Sequence, residues 1–296
     1  IGVIVRMFSK DQKLKKVQER TLAMAEEIVA FCKKHDLLCY FCGGGAIGAI
    51  REKGFIPWDD DLDFFMPRED YERFAKLWPQ KANISRYPMQ KPSREYNDHN
   101  SFITIRDAEK KYVKVYQRAL NITHGIAIDI FPLDTAPDQA WKRKVQKFWA
   151  MVYAVYCTQV IPENHGKFIG MTGKILLGIV PTAGLKYKVW RFAEKRMTRY
   201  NGRPSTHVTE LCVGPKYMGN LYPRKDFKTA VFVPFESTQM PLPVGYDDYL
   251  KRAFGDYMTP PPRNQQKTIH DAVVIDPDNS YLSYKGKSYL ETQKSK

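Results

Sequence analysis

The strongest constraint on the fold lies between residues 37 and 74, where short apolar runs alternate with a helical segment. Residues 37–42 have the length and apolarity of a buried strand, and a run of glycines separates them from a short helix over 46–52. A second strand is predicted over 61–66, and Pro67 suits the first turn of another helix. Strands that alternate with helices predict an α/β (α+β mixed) fold, in which a mixed sheet is elaborated by helices.

Two acidic residues in this segment are spaced to share one face of the second strand. Residues i and i+2 of a strand point the same way, so Asp61 and Asp63 are expected to lie side by side. A divalent cation relieves the repulsion between neighbouring carboxylates, and their hard oxygens suit Mg²⁺ or Mn²⁺. We therefore expect Asp61 and Asp63 to be metal ligands. Asp59 is placed to join the same face, and the alternative is a solvated acidic turn, which the flanking aromatic residues disfavour.

The glycine run falls between the first strand and the first short helix. Glycines at such a junction let the backbone approach a ligand closely, and a helix N-terminus favours an anion. Gly43, Gly44 and Gly45 are therefore candidates for binding a phosphate beside the acidic residues. Arg51 is a candidate for a further phosphate contact, although a surface helix also carries such a residue without any ligand.

A third acidic position lies in the apolar run over 126–131, which has the pattern of a central buried strand. Asp129 sits between Ile128 and Ile130, where a carboxylate is costly unless it is paired or bound to a metal. It is expected to be a metal ligand or a general base, and the alternative is a salt bridge to an arginine. Asp134 follows Pro132 and is interpreted as a turn residue.

The remaining sequence predicts a long helix over residues 10–36, a basic helical insertion over 139–203 and a C-terminal part over 204–296. Apolar residues recur every three or four positions in the first helix, from Leu14 to Cys32. The catalytic core is assigned to residues 1–138, and the C-terminal part is expected to complete it. Helices are expected over 139–160 and 185–201 within the insertion.

The positive charge is concentrated in the insertion. The chain has a net charge of +15, and thirteen Lys and Arg against two Glu between residues 139 and 203 account for +11 of it. A local surplus of this size indicates an anionic partner. Because the cations alternate with large aromatic residues, we expect peripheral contact with an anionic membrane or contact with an acceptor. The alternative is that the aromatic residues are core and the cations are solvated; no nucleic-acid motif is present, so nucleic acid is not expected.

The cysteines and the absence of export signals indicate the cytoplasm. Five cysteines in a chain of this length form no disulfide framework. Cys39 and Cys42 form a CxxC without a second pair for zinc, and they are expected to be buried thiols. No secretory signal is recognised, and the apolar residues 168–185 are interrupted too often for a membrane span. The protein is therefore expected to be cytoplasmic, with membrane contact at most at the inner face.

Three segments of the sequence resemble those of a known family. The segment GGGAIGAIREKGFIPWDDDLDFFMPREDYERF, residues 43–74, resembles the signature of the LicD family, which is related to the fukutin proteins and to the nucleotidyltransferase fold. The later segments AIDIFPLD and YDDYLKRAFGDYMTPPPRNQQKTIH resemble further LicD elements in the expected order. The resemblance covers about residues 15–135 and 235–275 and implies a nucleotidyltransferase-like core.

The resemblance also implies an activity. Members transfer a phosphorylated small alcohol, phosphocholine in the best-known case, from a CDP-linked donor such as CDP-choline to a hydroxyl of a glycan. The acceptor implied here is a cell-envelope glycan or a lipid-linked glycan. The matched positions are Gly44, Asp61, Asp63 and Asp129, and the match makes His270 a candidate donor contact. Many members have Thr or Ser where this chain has Gly45, which implies that a hydroxyl contact to the donor phosphate is absent.

Two other functions compete with this interpretation. A nucleotidyltransferase that acts on a phosphosugar or phospho-alcohol would use the same metal site with a different donor and product. A non-catalytic basic protein that binds membrane or RNA would account for the charged insertion. It would not account for three carboxylates in apolar strands.

Overall fold

The computed structural model describes residues 10–159, 177–266, 272–276, 278–287 and 289–290. The strands in these ranges are β1 (Tyr40–Cys42), β2 (Asp63–Pro67), β3 (Met89–Gln90), β4 (Ile103–Asp107), β5 (Lys111–Lys114), β6 (Ile126–Ala136), β7 (His207–Glu210), β8 (Tyr222–Pro223), β9 (Ala230–Phe235), β10 (Thr238–Pro243) and β11 (Ala272–Asp276). The α-helices are α1 (Lys10–Lys34), α2 (Gly43–Arg51), α3 (Arg68–Lys81), α4 (Ala140–Thr158), α5 (Ala183–Met197) and α6 (Tyr246–Phe254).

The central element of the main sheet is β6. Its first half pairs antiparallel with β4, its last residues pair antiparallel with β7, and its other edge pairs parallel with β2. The sheet runs in the order β1-β2-β6-β4-β3, with β8 added beyond β7. One parallel pair among antiparallel pairs makes the sheet mixed, so the predicted mixed α/β fold is confirmed. β9 pairs with β10 and β5 with β11 in two separate ribbons.

Helix α1 packs its predicted apolar stripe on the sheet. Its buried residues lie three or four positions apart, as the sequence pattern requires: Val17, Thr21, Met24, Ile28 and Cys32. The main core joins this stripe to the sheet and to the inner side of α3, which contributes Tyr71, Phe74 and Trp78. All five cysteines are buried free thiols, as expected for Cys39 and Cys42 in particular.

Helices α4 and α5 form a second, smaller core outside the main one. Their inner sides meet through Ala150, Tyr153, Trp190 and Met197, together with Leu211 and Cys212 that follow β7. Gln146 in α4 links this helix to β6 and to α5, because its side-chain amide donates to the carbonyl oxygens of Thr135 and Met197, both at 2.9 Å. The two helices expected in the basic insertion are therefore confirmed as α4 and α5, and the division of the chain into three parts stays a prediction.

The turn predicted at Asp134 is wrong. β6 continues through Pro132 to Ala136, and Asp134 is fully buried within it. Proline usually ends a strand because it lacks an N–H group. Here Pro132 lies between the residues of β6 that pair with β4 and those that pair with β7, so on that edge no partner needs its N–H. Asp134 binds the Arg68 guanidinium, so the arginine salt bridge considered for Asp129 occurs at Asp134 instead.

Glu210 at the end of β7 gives the fold a pH dependence. The side chain is 3% exposed and accepts hydrogen bonds from the Tyr222 hydroxyl and from Asn220. Burial raises its pKa from 4.5 to about 7, against the opposing effect of these two donors. The folded state thus holds this proton more tightly than the unfolded chain. Its contribution to stability is complete below about pH 4.5 and is lost as the pH rises to about 7.

We therefore expect Glu210→Gln to remove part of the pH dependence of unfolding. At about 1.4 kcal/mol per pKa unit, Glu210 should account for a loss of about 3 kcal/mol in the wild-type protein across this range. Urea denaturation at a series of pH values measures the loss, and the variant should follow a flatter curve because glutamine resembles the protonated acid. Parallel curves for the two proteins would contradict the assignment.

Candidate active site

A cavity beside the interior strands β2 and β6 brings the predicted acidic residues together. Asp61, Asp63 and Asp129 all line it, with Asp60, Tyr112 and Lys114 completing the polar wall. Asp63 is the first residue of β2, Asp129 lies in β6, and Tyr112 and Lys114 belong to β5. The cavity thus assembles from three strands, of which β2 lies more than forty residues before β5 along the chain.

Asp63 and Asp129 are direct neighbours across the parallel β2–β6 pair. Adjacent strands lie about 4.8 Å apart, so the two carboxylates start from adjacent backbone positions. Burial raises the pKa of Asp63 well above its usual range, and the charges of Asp61 and Asp129 raise it further, while Lys114 opposes them. A buried carboxylate with like charges around it favours a bound cation.

Asp61 and Asp63 keep the alternation that the sequence predicts, although β2 begins at Asp63 rather than at residue 61. Both are partly exposed towards the cavity, whereas Leu62 between them is buried in the core. The preceding acidic turn also forms a compact group. Carboxylate oxygens of Asp59, Asp60 and Asp61 lie within 4.8 Å of one another, and Asp60 accepts a hydrogen bond from the Tyr112 hydroxyl.

The glycine run packs directly against this acidic turn. A Cβ atom on Gly44 would lie 2.1 Å from Oδ2 of Asp59, so a larger residue there would displace the Asp59 carboxylate. Gly43 has a φ of +55°, and its N–H donates to the Tyr249 hydroxyl at 3.1 Å. A Cβ on Gly45 would lie 3.1 Å from Leu62, so a serine or threonine at this position requires a shift of the core. The first turn of α2 is thereby placed beside the carboxylates.

Asp129 is held by a chain of buried polar side chains. The Thr104 hydroxyl donates to Oδ1 of Asp129 at 2.6 Å, and the Asn100 amide donates to the Thr104 oxygen at 3.0 Å. The same amide donates to Asp98, also at 3.0 Å. Oδ2 of Asp129 lies 3.7 Å from the Lys114 ammonium. One oxygen of Asp129 is thus oriented by Thr104, and the other faces Lys114.

Two predicted donor contacts lie away from this arrangement. Arg51 is in the last turn of α2, and its guanidinium donates to Glu52 and to the carbonyl oxygen of Tyr257. It is not among the residues that line the carboxylate cavity. His270 lies outside the described residues. The assignment of both to donor binding stays a prediction.

Three polar residues of the site were not predicted from the sequence. Lys114 and Tyr112 lie in a short strand whose alternation shows no functional pattern by itself. Thr104 resembles any other residue of an apolar strand. A signal for Thr104 exists only in the sheet register, which sets it directly opposite Asp129 across the β4–β6 pair.

The donor set fits a divalent cation such as Mg²⁺ or Mn²⁺. Carboxylate oxygens are the hard ligands that these ions prefer. The residues that line the described cavity include four aspartates and one basic residue, Lys114, so negative charge predominates there. The site can therefore hold positive charge and, beside it, the phosphate groups that such ions bridge.

Comparison with known proteins bears on the same residues. Residues 37–172 match the family model described as LicD/FKTN/FKRP, nucleotidyltransferase domain, and this range contains the glycine run, the acidic turn and Asp129. The lipopolysaccharide cholinephosphotransferase LicD of Haemophilus influenzae is 24% identical over 288 aligned residues, which cover 88% of this chain and 97% of the relative. The resemblance to the LicD family that the sequence predicted is confirmed.

Proposed function

We propose that this chain, which contains a LicD-type domain, is a phosphotransferase that moves phosphocholine from CDP-choline to a hydroxyl of a cell-envelope glycan. The observation that supports it is the shared cavity of Asp61, Asp63 and Asp129 within the matched domain. The named relative is a cholinephosphotransferase of lipopolysaccharide, and it matches most of this chain. Lipopolysaccharide glycan is therefore the first acceptor to test.

In the proposed reaction, the acceptor hydroxyl attacks the phosphorus that bears choline. The new bond joins the acceptor oxygen to that phosphorus, the bond to the CMP oxygen breaks, and CMP leaves with the electron pair. Asp61 and Asp63 would hold a Mg²⁺ or Mn²⁺ ion, which would supply charge neutralisation on the phosphate oxygens. Asp129 would either complete the ligand set or accept the proton of the acceptor hydroxyl. Lys114 adds a positive charge beside the same oxygens.

The test is release of CMP from defined donors. The protein is incubated with CDP-choline, CDP-ribitol or CDP-glycerol and Mg²⁺, with and without lipopolysaccharide glycan. CMP that appears with CDP-choline only when the acceptor is present supports the proposal. If CMP is released from CDP-ribitol or CDP-glycerol instead, the transferred group is ribitol phosphate or glycerol phosphate rather than phosphocholine. A second incubation contains a nucleoside triphosphate and a phosphosugar. If it releases pyrophosphate, and none of the three CDP-linked donors releases CMP, the protein is a nucleotidyltransferase and the proposal is wrong.

A paired substitution tests how Asp129 is positioned. Asp129→Asn is nearly isosteric but neither accepts a proton nor holds a cation well, so we expect the rate to fall about a hundredfold or more. Thr104→Val removes the hydrogen bond to Oδ1 and the one that Thr104 accepts from Asn100 but keeps the Asp129 carboxylate, so we expect a smaller loss, about 10- to 100-fold in rate or metal affinity. Both are measured as CMP release against Mg²⁺ concentration.

Thr209→Val is the matched control for the second change. Thr209 is 3% exposed in β7, and its hydroxyl has no hydrogen-bond partner among the described residues. Its replacement changes the same atoms without breaking a bond, so the rate should stay that of the wild-type protein. If Thr104→Val behaves like this control, Thr104 does not position Asp129.

A further inference from the structure

The outward side of α4 is apolar, although helices usually turn such a side towards a core. Its inward residues recur at steps of three or four and are buried: Gln146, Ala150, Tyr153 and Cys157. A second stripe with the same spacing lies on the opposite side. Trp141, Val145 and Phe148 form it, and they are 64%, 37% and 57% exposed.

Helix α5 extends this apolar surface. Trp190, Ala193 and Met197 point into the second core, whereas Leu185 and Phe192 are about half exposed. Trp149 links the two helices, since its ring contacts those of Phe148 and Phe192 at centroid distances of 5.2 and 5.3 Å. We call this surface the α4–α5 outer face; its apolar members are Trp141, Val145, Phe148, Leu185 and Phe192.

The outer face is bordered by positive charge. The two helices contain nine Lys and Arg: Lys142, Arg143, Lys144, Lys147, Lys186, Lys188, Arg191, Lys195 and Arg196. Their single acidic residue, Glu194, is buried and bonded to Arg191. Arg143, Lys144 and Lys147 also line a cleft beside residues 217–219. An anionic headgroup finds several cations here and no exposed acidic side chain of α4 or α5.

The positive charge of the outer face indicates which kind of partner binds it. A second copy of the chain would bring two basic surfaces together, and like charges across an interface cost several kcal/mol. An exposed stripe of aromatic and aliphatic residues between lysines is the composition of a helix that lies in a bilayer interface. No helix among the described residues is long and apolar enough to cross a membrane, so such contact would be peripheral.

We propose that the α4–α5 outer face docks on a membrane surface rich in anionic phospholipid. Trp141, Phe148 and Phe192 enter the headgroup region, and the surrounding lysines bind the lipid phosphates. The contribution is about 1 kcal/mol for each Lys or Arg near the surface, and it falls off within about 8 Å at physiological salt.

The inner side of α4 connects this face to the catalytic cavity. The Tyr153 hydroxyl donates to the carbonyl oxygen of Ser101 at 2.9 Å, and the Asn97 amide donates to that of Cys157 at 2.8 Å. The same loop contributes Asn100, which supports Thr104 and hence Asp129. A protein docked through α4 therefore holds its carboxylate cavity at a fixed height relative to the lipid surface.

Vesicle sedimentation tests the proposal. We expect the protein to bind vesicles of phosphatidylcholine mixed with phosphatidylglycerol, to bind pure phosphatidylcholine weakly, and to be released at high salt. Lys144→Gln/Lys147→Gln/Lys188→Gln should lower the partition coefficient at least about tenfold, since each lost cation costs about 1 kcal/mol. Arg143 is left unchanged because it donates to the carbonyl oxygens of Pro137 and Asp138. Trp141→Ser/Phe148→Ser should also weaken binding and leave Tm unchanged.

Matched controls carry the same changes elsewhere. Lys13→Gln/Lys15→Gln/Lys81→Gln removes as many exposed cations, and Ile84→Ser/Phe232→Ser removes two exposed apolar residues. Both should bind vesicles like the wild-type protein. The proposal is overturned by no binding to anionic vesicles at low salt, by equal loss in the controls, or by a wild-type dimer that Trp141→Ser/Phe148→Ser makes monomeric. A fall in Tm for that variant also overturns it, because the face would then be packed. The assay needs no turnover, so it is independent of the proposed transferase activity.

Discussion

Asp63→Asn is expected to abolish turnover without weakening the fold. The change removes one carboxylate from the cavity that Asp61 and Asp129 share. Charge stabilisation by a bound metal contributes several kcal/mol to the transition state, and 1.36 kcal/mol corresponds to a factor of ten in rate. We therefore expect CMP release to fall at least about a thousandfold, and Asp61→Asn should behave alike.

The stability of the same variant separates a metal ligand from a structural residue. Asp63 is a partly buried carboxylate beside two like charges, and desolvation together with these charges raises its pKa. Its neutral replacement should leave the metal-free Tm equal or higher. Mg²⁺ or Mn²⁺ should raise the Tm of the wild-type protein, because a ligand that binds only the folded state stabilises it. The variant should show no such rise.

Asp256→Asn is the control, since Asp256 is an exposed aspartate whose side chain accepts from Thr259 and can still do so as asparagine. It should retain both activity and the metal-dependent rise in Tm. Full activity of the wild-type protein in EDTA, or of Asp63→Asn in Mg²⁺, would exclude the proposed metal site.

The largest effect on stability is expected at Asp134. Both of its carboxylate oxygens bind Arg68, at 2.8 Å to Nε and 2.7 Å to Nη2, and Asn201 donates to the same group at 2.7 Å. Arg68 is 8% exposed and Asp134 is fully buried. Asp134→Asn removes the buried counter-charge of Arg68 and leaves it the more exposed Glu72 at 3.4 Å, so breaking the buried pair is expected to cost about 3–5 kcal/mol in the free energy of unfolding. Urea denaturation measures this loss.

A surface pair supplies the matched control. Asp247 binds Lys251 at 2.7 Å, and both side chains are more than half exposed. Asp247→Asn should cost far less than Asp134→Asn, because exposed ion pairs contribute little to stability. The double change Arg68→Met/Asp134→Leu should recover much of the loss at Asp134, because replacing both partners removes the unpaired charge. If Asp134→Asn costs no more than Asp247→Asn, the buried pair does not stabilise the fold.

The sequence by itself determined those features that depend on local spacing. The apolar stripe of α1, the junction of strand, glycines and helix, and the alternation of Asp61, Leu62 and Asp63 are all set by the periods of helices and strands. A carboxylate between two isoleucines also identified Asp129 as unusual before any fold was known, because an unpaired charge in an apolar strand is costly.

Only the tertiary structure decided which of these residues meet. Pairing between β2 and β6 sets Asp63 beside Asp129, and pairing between β4 and β6 sets Thr104 opposite Asp129. Long-range contacts also bring Arg68 to Asp134. Local preferences placed Asp134 in a turn because it follows Pro132, and that prediction was wrong. Tertiary contacts also decided which aromatic residues of α4 and α5 are core and which remain exposed. Sequence periodicity gives the faces of an element, whereas the partner of each face depends on contacts that are distant along the chain.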